Sequence, residues 1–287
     1  MKVIVPATSA NLGCGFDSVG LAVNLYLELE ILEACKQWEI IHDMGASVPH
    51  DEKNLIISTA LGIAPGLSPH KIRMTSDIPL TGGLGSSSSA IVAGIELACA
   101  IGNAELSTQE KLQLACKLEG HPDNVVPAIL GGLVISTYVN GNLEYVEVDI
   151  PNVGLVAYIP GYRSPTEAMR DILPAGMPYY EAVWASSISN VMIASLMRGD
   201  MSKAGRMMES DLFHEKYRAG LVPELSEVRV IARKHGAYAT YLSGAGSAIM
   251  CITEMDKVGQ LAAALPRKSD ARILKLLPEP NGAGVVL

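Results

Sequence analysis

Pro79-Leu80-Thr81-Gly82-Gly83-Leu84-Gly85-Ser86-Ser87-Ser88-Ser89-Ala90 is a glycine-rich turn that runs straight into an apolar helical pattern, predicted from about Ser88 to Ala100. Backbone amides freed by Gly82, Gly83 and Gly85 can converge on one anion, and the helix that follows adds the positive end of its dipole. Triphosphate binding is the natural reading of such a loop. No G-K-[ST] follows, so it is not a Walker loop, and G-x-G-x-x-G is absent, so it is not a dinucleotide fingerprint. The serine hydroxyls can meet phosphate or Mg²⁺, with Ser87 the first choice. A Gly/Ser run alone would be better explained as a flexible loop ending in a serine N-cap. The leading proline and the immediate helix favour the anion site.

Working outward, apolar residues alternate at Val23, Leu25, Leu27, Leu29 and Ile31, with Asn24, Glu28 and Glu30 between, the period of a strand with one wet face. Leu133 to Val139 and Leu143 to Val148 read as a hairpin joined through Asn140-Gly141, a pair that tolerates positive φ. Ser107 with Glu110 is a capping-box signature for a second helix. After Pro151 come a short strand at Leu155–Ile159, helical segments from Thr166 to His235, then strand, helix and strand from Tyr238 to Leu277. A chain of 287 residues with 49% hydrophobic content sits where one core splits into two. The expected division is 1–151 and 152–287, both α+β and closely packed, since no low-complexity linker separates them.

Composition excludes several classes. A net charge of −8 offers no basic field to nucleic acid or anionic membrane. The start of the chain lacks the apolar stretch of a signal peptide, and the most apolar later segment, Ala90 to Ile101, is broken by Glu96. Five cysteines (Cys14, Cys35, Cys99, Cys116 and Cys251), odd in number and without a C-x-x-C pair, argue against a disulfide framework or zinc site and for a reducing, cytoplasmic setting.

The pattern P-x-x-x-G-L-G-S-S-[SA] resembles the ATP-binding motif of the GHMP kinases. Four further segments narrow the resemblance to the homoserine kinases: Pro6-Ala7-Thr8-Ser9-Ala10-Asn11-Leu12-Gly13-Cys14-Gly15-Phe16-Asp17; Glu119-Gly120-His121-Pro122-Asp123-Asn124 with Val125 to Gly132; Arg163-Ser164-Pro165-Thr166-Glu167-Ala168-Met169-Arg170; and Tyr217-Arg218-Ala219-Gly220-Leu221-Val222-Pro223. Tyr241-Leu242-Ser243-Gly244-Ala245-Gly246-Ser247 resembles the C-terminal glycine motif of the same kinases, which approaches the phosphate loop. Without the resemblance, Asn11 reads equally as an Asx turn, His121 as a helix-end cation, and each arginine as a solvated helix residue.

The resemblance implies a GHMP fold, with an N-terminal domain like domain 2 of ribosomal protein S5 and a ferredoxin-like C-terminal domain. It implies phosphorylation of L-homoserine by ATP with Mg²⁺, and a homodimer is common among such kinases. ATP would lie on Pro79, Leu80, Thr81, Gly82, Gly83, Leu84, Gly85, Ser86, Ser87, Ser88 and Ser89, with Gly244 and Gly246; the metal on Ser87 and Glu119. Substrate would meet Asn11, Asp17, His121, Asn124, Thr166, Arg170 and Arg218. Asp17 and Asn11 suit an ammonium, and the two guanidiniums suit bidentate capture of an α-carboxylate. Catalysis would rest on Asn124, Asp123, His121 and Arg170. Asp123 is one candidate base; the other reading is transfer by positioning and electrostatics alone. Other GHMP kinases, acting on mevalonate or a diphosphocytidyl-erythritol, and a GHMP-fold sensor without chemistry are the competing readings.

Overall fold

The computed structural model describes residues 1–286 except 81, 103, 150, 163, 165 and 269, with only the backbone described at Thr166. In chain order the elements are β1 (Lys2–Ala10), β2 (Val19–Ala34), β3 (Glu39–Ile41), α1 (Leu55–Ile63), β4 (His70–Ser76), α2 (Ser86–Gly102), α3 (Thr108–Glu119), α4 (Pro122–Leu130), β5 (Leu133–Val139) and β6 (Asn142–Val148). Then follow β7 (Gly154–Ile159), α5 (Thr166–Asp171), α6 (Tyr179–Met197), α7 (Met201–Met208), α8 (Glu215–Arg218), α9 (Glu224–Lys234), β8 (Ala239–Leu242), β9 (Ile249–Thr253), α10 (Val258–Ala264), β10 (Arg272–Leu276) and β11 (Gly284–Val286).

The first sheet runs β11-β1-β2-β4-β3, with the β5–β6 hairpin joined to β2. Alternation in β2 is realised: Leu27 and Leu29 are buried, while Glu28 and Glu30 face outward and pair with Lys2 and Arg73. The β1–β2 register slips between Pro6 and Ala7, where a proline that cannot donate to the ladder is tolerated. The inner face is covered by α2 and α4. Glu96, which interrupts the apolar run of α2, is buried but carries both oxygens 2.8 Å from the Lys111 ammonium of α3, so the charge is matched.

The second sheet is antiparallel in the order β10-β7-β9-β8. This is the split β-α-β-β-α-β arrangement of a ferredoxin-like unit, with α10 in the second crossover. Successive residues of β7 alternate between two cores: Leu155, Ala157 and Ile159 join the large one shared with the first sheet, and Val156 and Tyr158 join a smaller one with α9 and α10. The halves therefore share apolar packing as well as a covalent link. The division at 151/152 needs one correction. After β10 the chain crosses back, Glu279 N–H bonding Ala22 O and β11 pairing with β1, which takes up backbone groups that the edge of β1 would otherwise leave to solvent. The final residues thus belong structurally with the first sheet.

Candidate active site

The phosphate loop turns at Gly83 (φ 77°) and Gly85 (φ 72°), left-handed values that glycine adopts without steric cost. Its helix, α2, begins at Ser86 and runs for 17 residues, so its N-terminal amides face the loop. The second half is stitched directly to it: Ala248 N–H donates to Gly82 O (3.0 Å), the Ser243 hydroxyl to Gly83 O (2.7 Å), and Gly244 N–H to Ala10 O (3.1 Å). A Cβ on Gly83 would stand 2.3 Å from Ser243 O, which is why that position has no side chain.

A cavity of about 350 Å³ opens here, between the loop, the first motif and the second half. One side is apolar, walled by Leu27, Met44, Val48, Ile56, Met74 and Ile78, none of which the sequence marked as a site residue. Their apolar character looks the same in sequence as that of core residues. Leu80, Gly82, Gly83, Gly85, Ser86, Ser87 and Ser88 line the loop side. Others assigned to the loop do not. Leu84 is fully buried in the core, and Ser89 is buried and donates its hydroxyl to Pro6 O, so both are scaffolding. Pro79 and Gly246 lie outside the lining, Gly246 contributing instead a turn against Gly83, whereas Gly244 faces the cavity. Thr81 and the side chain of Thr166 lie outside the described residues.

At the opposite wall, α3 ends at Gly120, left-handed at φ 89°, and α4 starts at once with Pro122 in its first turn. This segment is thus a junction between two helices, which brings Glu119, His121, Asp123 and Asn124 to the same cavity. Ser88 donates its hydroxyl to Glu119 Oε1 at 2.6 Å, so the serine that touches the glutamate is Ser88, while Ser87 is exposed on the cavity wall. Asp123 Oδ1 accepts from His121 Nδ1 (2.6 Å) and from Asn124 Nδ2 (3.3 Å). Burial pulls the His121 pKa down, but the Asp123 hydrogen bond and the charges of Asp123 and Glu119 outweigh it, and the imidazole ends above its ordinary value. Asn124 Oδ1 in turn accepts from the Thr8 hydroxyl (2.9 Å), which ties the junction to β1.

The charged residues are arranged differently from the simple assignment of cations to carboxylate and anions to ammonium. Arg170 makes a bidentate pair with Asp17 at 2.7 and 3.2 Å. Burial lowers the Arg170 pKa, yet the bond to Asp17 and its charge raise it overall. Ligand atoms of Asp17, His121 and Asp123 fall within 4.8 Å of one another, an anionic corner beside the guanidinium. Asn11, in left-handed backbone at φ 73°, uses its side chain structurally: Oδ1 accepts from Asp17 N–H (2.9 Å) and Nδ2 donates to Gly244 O (2.9 Å). Asn11 also lines the cavity, and its Oδ1 reaches an N–H six residues on, beyond the span of an Asx turn. Arg218 is 1% exposed and lines the cavity. Burial first, then the like charge of Arg170, pulls its pKa down to about 10.

Residues 54–132 match the GHMP kinases N terminal domain and residues 192–271 the GHMP kinases C terminal domain. Homoserine kinases of Streptococcus pneumoniae strains are 53% identical over 268 residues, 93% of this chain and 93% of theirs. A solved structure from Listeria monocytogenes, described as a homoserine kinase, superposes with a TM-score of 0.88 at 45% identity over 99% of this chain and 98% of its own. The homoserine kinase of Cytophaga hutchinsonii superposes at 0.85 with 28% identity, over 100% of this chain and 97% of its own. At this identity and coverage, with both family models matched, the chain belongs to the GHMP kinases, and within them to the homoserine kinases.

Proposed function

We propose that the cavity transfers the γ-phosphoryl group of ATP to the side-chain hydroxyl of L-homoserine, giving O-phospho-L-homoserine on the route to threonine. The observation that carries this reading is the Arg170–Asp17 pair beside His121 and Asp123, facing the phosphate loop across one cavity. Both signs of charge at one wall suit an amino-acid zwitterion, whose ammonium and carboxylate can each replace one member of the resident ion pair. Neither a mevalonate nor a diphosphocytidyl-erythritol carries an ammonium to use Asp17. Loop amides of Gly82, Gly83 and Gly85 and the start of α2 take the triphosphate. Glu119, bonded to Ser88 and sharing the cavity with Ser87, completes a set of hard oxygen donors that would hold Mg²⁺, which would supply charge neutralisation at the phosphoryl oxygens. Asp123, its Oδ1 engaged by His121 and Asn124, orients those two groups toward the acceptor. The work left to the protein is positioning and electrostatic stabilisation, which a loose phosphoryl-transfer transition state needs most. A reducing, cytoplasmic setting suits five free cysteines, and no helix among the described residues is long and apolar enough to cross a membrane.

Coupled ADP release with L-homoserine, mevalonate and L-threonine tests the assignment. Stoichiometric ADP and O-phosphohomoserine are expected with homoserine and far slower turnover with the others. Faster turnover with mevalonate would overturn it, and tight binding of ATP and homoserine without ADP release would identify a sensor.

The ion pair itself makes a separate prediction. Arg170 and Asp17 are 36% and 33% exposed, so Asp17→Asn should change stability by less than about 1 kcal/mol. The KM for homoserine should nonetheless rise about tenfold, through the lost ammonium contact. Thermal denaturation alongside steady-state kinetics checks both numbers, and a fall in stability with unchanged KM would make the pair structural.

A further inference from the structure

His214 is fully buried, and its two ring nitrogens join the first-motif turn to Arg218, which lines the cavity. Nε2 lies 2.9 Å from Gly13 O, in the turn of the first motif, and 3.5 Å from the Asp211 carboxylate. Nδ1 lies 3.1 Å from Nη1 of Arg218. A guanidinium has no lone pair to accept, so Nδ1 must be the acceptor, and the proton sits on Nε2, which faces two oxygen acceptors. Burial favours this neutral form, lowering the pKa, although the Asp211 charge opposes it.

The remaining bonds of Arg218 run from Nε to Met169 O (2.9 Å) and from Nη1 to Gly244 O (3.2 Å). Phe16 stacks on the imidazole with centroids 5.1 Å apart and stands 5.5 Å from the Arg218 guanidinium carbon. An apolar side chain of similar volume could fill the space under Phe16. It could not tie Gly13 to Arg218.

We propose that His214 is a positioning residue for the substrate carboxylate: as the Nε2–H tautomer it locks the Arg218 guanidinium against the first-motif turn and so sets the place at which the carboxylate is read. This rests on the reading that Arg218 meets the substrate carboxylate. His214 touches no substrate itself and acts through Arg218.

The test uses His214→Phe, which keeps the stack and removes both hydrogen bonds, His214→Gln, which can donate to Gly13 O and accept from Arg218, Arg218→Lys, and the His214→Phe/Arg218→Lys double variant. His214→Phe is expected to raise the KM for L-homoserine about tenfold, with kcat and the KM for ATP within about twofold of wild type. His214→Gln should recover most of that loss. In the Arg218→Lys background, His214→Phe should add little, the non-additivity of residues acting as one unit. A homoserine KM unchanged by His214→Phe while Arg218→Lys raises it would overturn the positioning role alone. An unchanged KM in Arg218→Lys would instead overturn the carboxylate reading beneath it, and the proposal with it. Should His214→Phe fail to fold, ¹⁵N NMR of the wild-type imidazole decides: a bare Nδ1 with protonated Nε2 supports the proposal, and a protonated Nδ1 sinks it.

Discussion

Glu119→Gln is expected to lower kcat by about 10³-fold at saturating ATP, the scale of losing charge stabilisation by a metal at a transferring phosphoryl group. The fold should survive, because the amide oxygen of glutamine can still accept from the Ser88 hydroxyl now 2.6 Å from Glu119 Oε1. ATP binding measured by calorimetry without metal should change little, while the Mg²⁺ concentration for half-maximal activity should rise. That split isolates a carboxylate acting through the ion from one that shapes the loop. Were the magnesium dependence unchanged, the ligand would have to be another carboxylate, with Asp123 next in reach.

The second large effect is expected from Gly85→Ala. A Cβ at this residue, held at φ 72°, would stand 2.3 Å from the Thr8 hydroxyl oxygen and 3.2 Å from Asn124 Oδ1. Those two atoms are hydrogen-bonded to each other at 2.9 Å, so one methyl group separates β1 from the α3–α4 junction. Left-handed backbone costs a non-glycine residue about 1 kcal/mol, and displacing a buried hydrogen bond adds 1–2 kcal/mol on the same rough scale. A melting temperature lower by about 4–10 °C follows for a chain of this size. The KM for ATP should rise at least about tenfold, because the loop amides and Asn124 move together. Wild-type melting with wild-type ATP kinetics would show that the loop backbone relaxes freely and holds no phosphate.

Much of the architecture was readable before any coordinates, wherever the signal was local. The Asn140-Gly141 turn adopts the expected positive φ values of 52° and 77° between β5 and β6. The Ser107–Glu110 capping box opens α3 with both reciprocal bonds formed. Motif order likewise brought the phosphate loop and the Ser243–Gly246 turn to one place. What escaped was relational. Nothing in the spacing of Asp17 and Arg170 says that they pair with each other across 153 positions, and a bidentate pair leaves no local pattern. Asn11 could be read as a ligand or as an Asx turn because amides do both with the same atoms; the bond it makes instead, to Asp17 N–H six residues on, leaves no local pattern. His214 drew no attention because it falls in a stretch read from sequence only as helical, and its importance comes from meeting Gly13, 201 positions away. The Ser88–Glu119 contact needed the phase of α2, which a run of identical serines hides.

The return of the chain to its own beginning has a consequence for how the enzyme is made. Ala283 N–H bonds Ala128 O in α4, and β11 completes the outer edge of β1. The helix that carries Asp123 and Asn124 is thus clasped by residues translated only after the ferredoxin-like half. During synthesis the N-terminal sheet must wait, with β1 unpaired on one side, while the entire ferredoxin-like half is translated. Edge pairing across so long a sequence separation is slow to form, which makes the nascent enzyme a client for protection of that strand until β11 emerges.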